Sequence, residues 1–327
     1  MKNFWEDLPR PFTLLAPMED VTDHTFRRLV QEVAPPNVFM TEFVSAEILM
    51  STRPQKALPR LIIHKTSPED SLDIPLVAQI WGLSPDAFFK AAELIRSKGF
   101  SGIDINMGCP ARKIAKRGAC SGLIGNPALA GELISAAKEG AGDLPVSVKT
   151  RIGLKKRVTE SWASFLLDQN IAALTIHGRV AAQMSEGEAD WDEIAKVVAL
   201  KQSRTDCKTL IIGNGDVFDR ETLATRMATP GLDGVMVGRG IFHDPCIFGN
   251  FQRSPFLEWS TQEKLELLAR HIRYFNEDWK GAKNFDLLKR FMKIYTRGFE
   301  GHLELRESLM DSLCPQDVLA HLTPWLV

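Results

Sequence analysis

The chain has 327 residues, a formal net charge of -1, 44% hydrophobic and 25% charged residues. These are ordinary globular values, with length for one large barrel or two domains and a full core. A near-neutral balance excludes a protein that holds nucleic acid by overall charge, so any basic surface must be local. The five cysteines (109, 120, 207, 246 and 314) are odd in number, widely spaced and without a CxxC pair. That argues against a disulfide framework or a zinc site and for a reducing compartment. Met1 to Asp7 carries acids and no apolar segment, so no signal peptide is expected, and no apolar run approaches a membrane span. The expectation is a soluble cytoplasmic protein with no membrane partner and no bound metal.

Between residues 12 and 250 one rhythm repeats: a short apolar run, a Gly, Pro or polar turn, then an amphipathic stretch. The apolar runs are Phe12–Pro17, Val38–Phe43, Pro75–Ile80, Gly102–Asn106, Pro145–Arg151, Ala172–His177, Thr209–Asn214 and Gly234–Gly238. Among the amphipathic stretches, Asp86–Lys98 places Phe88, Ala91, Ala92 and Ile95 on one helical face. Eight strand–helix units in one direction favour a (β/α)8 TIM barrel over an open sheet. Pro54–Ser71 breaks the rhythm and predicts an excursion between the second and third strands. After about residue 255, Ser260–Trp279, Asn284–Phe299 and Pro315–Trp325 read as helices without intervening strands, the first opened by a capping box. The predicted organisation is a barrel over 1–254 followed by a small C-terminal all-helical domain over 255–327.

The strand ends carry Pro17 and Met18, Glu42, Gln79, Asn106, Lys149 and Arg151, His177 and Arg179, Asn214 and Asp216, then Gly238 and Arg239. In a barrel the carboxyl ends of the strands build the catalytic face, so these residues would line one cavity. Taken singly, Gln79 also fits a barrel-layer amide and His177 a core histidine; packing alone does not explain the whole set. Ile103-Asp104-Ile105-Asn106 reads as a buried strand with a single charge, and Gly108 and Pro110 end it. Asn106 and Cys109 are thereby presented together at a strand end. A free cysteine is most often a small buried hydrophobe, but the flanking glycine and proline mark a tight loop here.

Gly213-Asn214-Gly215-Asp216 and Gly238-Arg239-Gly240 follow the seventh and eighth strands, where barrels commonly bind phosphate. Glycine lets backbone N–H groups approach the oxygens, and Arg239 adds a fork of donors. Lys149 is a cation aimed into the same cavity, and a lysine there without an acid partner faces an anion or an electron-rich ring. Two rim loops are basic: Arg112, Lys113, Lys116 and Arg117 after Cys109, and Arg151, Lys155, Lys156 and Arg157 after Lys149. Lys280–Arg297 holds six cations and one acid, with Phe285, Phe291 and Tyr295 interleaved. A charge run is usually a solvated face; two at one rim, plus a basic helix, suggest a docked polyanion.

Ala16-Pro17-Met18-Glu19, Thr41-Glu42-Phe43, Gln79, Asn106-Met107-Gly108-Cys109-Pro110, Lys149-Thr150-Arg151-Ile152-Gly153, His177-Gly178-Arg179, Asn214-Gly215-Asp216 and Gly238-Arg239-Gly240 together resemble the tRNA-dihydrouridine synthases. The resemblance spans the barrel in order and extends to the helical tail. It implies an FMN-dependent enzyme that reduces the 5,6 double bond of selected uridines in tRNA, with NADPH recharging the flavin; a monomer is expected. By that resemblance Pro17, Met18, Glu19 and Gln79 line the flavin, Lys149 and His177 contact its rings and chain, and Asn214, Gly215, Asp216, Gly238 and Arg239 take the phosphate. Cys109 is then the acid that protonates uracil C5 as flavin N5 delivers hydride to C6. Asn106 holds the uracil edge, and Arg112, Lys113, Lys116, Arg179, Lys289, Arg290 and Lys293 hold the RNA.

The chemistry agrees with those roles. Hydride addition at C6 leaves enolate-like charge at C5, which an acid must quench, and an ordinary thiol of pKa about 8.5 keeps its proton at neutral pH. A stacked uridine has to be turned out to reach such a cavity. Asp20, Ser185 and Cys120 depart from the family pattern. A dihydroorotate-type flavin barrel acting on a free pyrimidine is the alternative, although a free base needs no basic rim. An inactive RNA-binding relative would require damage at Asn106, Cys109 or Lys149, all of which are present.

Overall fold

The computed structural model describes residues 3–63, 74–249 and 254–326. Among them nine strands form one sheet: β1 (Phe12–Leu15), β2 (Phe39–Met40), β3 (Val44–Ser45), β4 (Leu76–Trp81), β5 (Gly102–Met107), β6 (Val146–Arg151), β7 (Ala173–His177), β8 (Leu210–Asn214) and β9 (Gly234–Val237). All pairings are parallel, in the order β1-β9-β8-β7-β6-β5-β4-β2, with β3 beside β4. Leu14 bridges Val38, just ahead of β2, so the two ends of the series meet and the barrel closes. Each of the eight predicted apolar runs supplies a barrel strand.

One predicted strand, Val38–Phe43, is broken into β2 and β3. At the break the Thr41 hydroxyl accepts the Gln79 backbone N–H at 3.1 Å and donates to the Glu42 carbonyl at 2.7 Å. The Glu42 carboxylate accepts the Asp20 backbone N–H at 2.6 Å. Side chains thus take positions that a regular ladder would give to backbone.

Alternate residues of each strand point inward. Phe12, Leu14, Val38, Met40, Val77, Ala173, Leu210, Ile212 and Met236 fill the lower barrel, and Trp5 packs on Phe12 to close it from below. Above this apolar floor the register sets Gln79 beside Asp104 and Asp104 beside Ser147. The next level sets Asn106 beside Lys149 and His177 beside Asn214. Outward faces pack on helices such as Pro85–Ser97, which buries Ala87, Phe88, Ala91, Ala92 and Ile95. Ser84 caps that helix, and Pro85 sits where its missing N–H is not needed. Gly140 lets the neighbouring helix Pro127–Ala141 approach, since a Cβ there would lie 2.1 Å from the Phe89 carbonyl oxygen.

The tail contains the expected helices, observed as Thr261–Trp279, Asp286–Tyr295 and Pro315–Leu322, and the Ser260/Glu263 capping box is present. A further helix, His302–Asp311, has no counterpart in the sequence reading. It buries Leu305 and Leu309 while leaving Leu303 and Met310 exposed, so its apolar residues trace no single face. The tail docks on helix His24–Val33 through aromatic contacts, Phe26 lying 4.8 Å from Phe291 and 5.6 Å from His271. Lys283 pairs with the buried Asp23 at 2.7 Å alongside them. Of the predicted excursion, residues 54–61 form two 3-10 turns, and residues 64–71 lie outside the described residues. The expected boundary at 254/255 adjoins residues 250–253, which are likewise outside them. Among the described residues no helix is long and apolar enough to cross a membrane.

Candidate active site

Met18, Cys109, Lys149, His177, Asn214 and Arg239, drawn from six different strand ends, line one cavity of about 260 Å³ at the carboxyl face of the barrel. Pro17, Asn106, Gly215, Asp216 and Gly238 line it too. Gln79 lies beneath and is fully buried, while Glu19 stands to one side, ion-paired with Arg60.

The loop that carries Cys109 is held from several directions. Asn106 Oδ1 accepts the backbone N–H groups of Gly108 at 3.1 Å and Cys109 at 2.9 Å. Arg151 Nε donates to the Gly108 carbonyl at 2.8 Å, and Thr150 Oγ1 to that of Met107 at 3.1 Å. The Cys109 carbonyl accepts from Ser121 N–H at 3.3 Å, which brings Cys120 alongside. None of these bonds uses the Cys109 side chain, which stays partly exposed toward the cavity.

Lys149 donates to Asn214 Oδ1 at 3.0 Å, and Asn214 Nδ2 donates to the Met236 carbonyl at 2.8 Å. Burial, followed by the nearby Arg151, lowers the Lys149 ammonium to about 8, so it is still mostly charged at neutral pH. Its hydrogen bond goes to an amide rather than a carboxylate, which leaves the charge available. Burial and the charge of Lys149 push His177 far below the usual imidazole range, so it is neutral. Arg179 Nη1 lies 3.1 Å from His177 Nε2 and can only donate, which places the imidazole proton on Nδ1.

The two glycine loops form a niche. Gly215 has φ +128° and Asp216 φ 50°, both in the positive-φ region that favours glycine. A Cβ on Gly238 would meet only Ala16 and Met18, at 3.8 and 4.0 Å, so open space lies above it. Arg239 is about half exposed at the rim, with Nη2 3.6 Å from Asp216.

Several residues stand where the sequence did not place them. Arg179, expected on the RNA, is 2% exposed and donates to the carbonyls of Glu186 and Gly187 and to Asp216 at 2.6 Å. With its donors committed, it clamps the loop after β7 and neutralises the Asp216 carboxylate, which also accepts Ala189 N–H at 2.7 Å. Asp216 therefore offers the niche its backbone and not its charge. Arg112, Lys113 and Lys116 are exposed beside the Cys109 loop, as are Lys155 and Lys156, whereas Arg157 pairs with Asp190 at 2.8 Å. On the tail Lys293 is exposed, Lys289 is paired with Asp286 at 3.0 Å, and Arg290 reaches the Glu19 carbonyl at 3.5 Å. Arg151, expected at the cavity, lines it, whereas Asp104 was not among the expected site residues. A lone charge inside an apolar run was the available signal for Asp104.

Residues 14–325 match the family model described as "Dihydrouridine synthase (Dus)". The chain belongs to the dihydrouridine synthase family. It is 44% identical over 322 residues to "Probable tRNA-dihydrouridine synthase 2" of Bacillus subtilis (strain 168), covering 98% of this chain and 95% of that protein. It is 43% identical over 313 residues to "Probable tRNA-dihydrouridine synthase" of Staphylococcus aureus (strain N315), covering 95% and 92%. Among solved structures, histamine dehydrogenase from Rhizobium sp. 4-9 shares the barrel with a TM-score of 0.54 at 13% identity, covering 72% of this chain and 44% of that one.

In this dihydrouridine synthase family member the Cys109 thiol does not sit in the ordinary thiol range assumed from sequence. The Cys120 thiol donates to it and lowers it to about 6, against the opposing effect of burial, with help from the Ala111 N–H and Arg151. Cys120 itself is fully buried and pushed upward by the same contact. Cys109 is therefore the more acidic thiol of the pair.

Proposed function

We propose that this chain is an FMN-dependent tRNA-dihydrouridine synthase, which reduces the C5=C6 bond of selected uridines in tRNA in the cytoplasm with NADPH as reductant. The observation that carries the reading is one cavity holding a polarised thiol, a cation without a carboxylate partner and a glycine-lined anion niche. The donor set fits a phosphorylated flavin. Backbone at Gly215, Asp216 and Gly238, with Arg239 at the rim, would take its phosphate; Lys149, His177, Met18 and Pro17 would border its rings and chain. FMN, when bound, supplies the hydride for uracil C6.

The chain's own contribution is to admit one extruded uracil, exclude water and deliver a proton to C5. Cys109 is the donor that the geometry offers. A thiol lowered to about 6 is a stronger acid than an ordinary one but is mostly ionised at neutral pH, so its protonated fraction limits how much enzyme can donate. Only the protonated form donates, so a rate limited by this step falls as pH rises through about 6. Cys120→Ala removes the donated hydrogen bond and is expected to move that limb upward. Single-turnover pH–rate profiles of both proteins check this, and superimposable limbs would mean that Cys120 does not set the acidity.

The reading as a whole is tested by purification. The protein is expected to be yellow, to release FMN on denaturation, and to form dihydrouridine in unmodified tRNA when NADPH is added. A colourless protein that cannot be loaded with FMN removes the proposal.

A further inference from the structure

A continuous run of buried hydrogen bonds lies under the cavity. Ser147 Oγ donates to Asp104 Oδ1 at 2.6 Å, and Gln79 Nε2 donates to Asp104 Oδ2 at 2.7 Å. Asn106 Nδ2 donates to Gln79 Oε1 at 2.9 Å. Asn106 Oδ1 then accepts the N–H groups of Gly108 and Cys109. All four side chains are more than nine-tenths buried.

The two amides of this run are nearly symmetrical in shape, since exchanging oxygen and nitrogen hardly changes their outline. Neither can choose its own direction. The end groups choose it, and at one end that group is Asp104. An ionised carboxylate accepts and never donates. It therefore requires Gln79 to present its NH2, which leaves the Gln79 oxygen for Asn106, which in turn leaves the Asn106 oxygen for the Cys109 loop. Burial raises the Asp104 pKa to about 6, with donation from Ser147 and Gln79 and the charge of Lys149 opposing, so the group is mostly ionised at neutral pH. At the far end the backbone N–H groups of 108 and 109 need an acceptor, and only this polarity provides one.

We propose that Asp104 is a positioning residue that sets the direction of the buried Gln79–Asn106 amide run and thereby seats the Cys109 loop. The effect on the loop stands without any assumption about the reaction; the effect on turnover rests on the functional reading above.

Three variants test it: Asp104→Asn, which replaces a pure acceptor by a group of either sense; Gln79→Met, which cuts the run while leaving Asp104 in place; and the double variant Asp104→Asn/Gln79→Glu. In the double variant a carboxylate at position 79 can only accept, from the amide introduced at position 104 on one side and from Asn106 on the other. The Asn106 oxygen then again faces the loop. The readout is the alkylation rate of Cys109 by iodoacetamide against pH, followed by mass spectrometry of its peptide, with thermal melting to confirm the fold. Both single variants are expected to change the Cys109 rate about fivefold, the factor that one hydrogen bond of ordinary strength is worth. The double variant is expected to return toward the wild-type profile. In dihydrouridine assays Asp104→Asn should lower kcat by about 10²-fold, the order of loss from a reacting group misplaced by about 1 Å, with KM for tRNA little changed. Cys109 profiles in folded single variants that superimpose on wild type overturn the proposal, as does a double variant no closer to wild type than Asp104→Asn. Altered alkylation in a protein that forms no dihydrouridine in any version retains the positioning role and removes the functional reading instead.

Discussion

Cys109→Ala is expected to lose dihydrouridine formation by ~10²–10⁴-fold, the usual contribution of a general acid, while flavin content and tRNA affinity stay near wild type. The separation of effects follows from how the loop is built. Asn106, Arg151, Thr150 and Ser121 hold the backbone of residues 107–109, and none of their bonds reaches the Cys109 sulfur. Removing the sulfur therefore leaves the cavity wall standing and deletes the proton source with its contacts to Cys120 and the Ala111 N–H. Cys109→Ser keeps the shape but supplies a far weaker acid, so it should resemble alanine in rate. The measurement is single-turnover product formation with flavin absorbance and tRNA binding recorded on the same preparation. Turnover by the alanine variant at the wild-type rate would remove Cys109 from the chemistry, whatever else the cavity holds.

Much of this site was legible because strand ends are written in local chemistry. An apolar run closed by glycine, proline or a polar group locates a strand terminus, and in a closed parallel barrel all such termini meet. That is how Met18, Cys109, Lys149, Asn214 and Arg239 could be brought together from positions far apart in the chain. Local chemistry does not say whether a charge is free. Arg179 carries the same signal as Arg239, yet one is 2% exposed and clamped to Asp216 while the other is about half exposed at the rim. The difference lies in a loop, residues 184–190, whose path depends on tertiary packing. Asp104 shows the same limit from the other direction. Its charge was visible inside strand β5, but its partners Gln79 and Ser147 come from the two adjacent strands, and only the register identifies them. The broken second strand depended on a hydroxyl, that of Thr41, replacing a carbonyl in the ladder, an exchange that β propensity does not record.

Reversing the exposed cations Arg112, Lys113, Lys116 and Lys293 to glutamate is expected to weaken tRNA binding and to flatten its dependence on salt. Each phosphate contact removed should lower the slope of log affinity against log salt by about one. These four are chosen by what the structure leaves free. Three follow the Cys109 loop in the chain and are exposed, and the fourth lies on the tail helix Asp286–Tyr295. Arg290 of that helix lies against the carbonyl of Glu19, the residue next to the cavity-lining Met18. RNA lying across both would place one nucleotide over Cys109 while its neighbours meet the cations. Lys289→Glu is the internal comparison. That side chain is 16% exposed and already paired with Asp286, so its loss should change the slope little. The fourfold variant should retain its flavin, because none of the four residues lines the cavity. Affinity and slope measured by titration of unmodified tRNA across a salt series decide the matter: if both match wild type in the fourfold variant, the RNA lies on another face of the barrel.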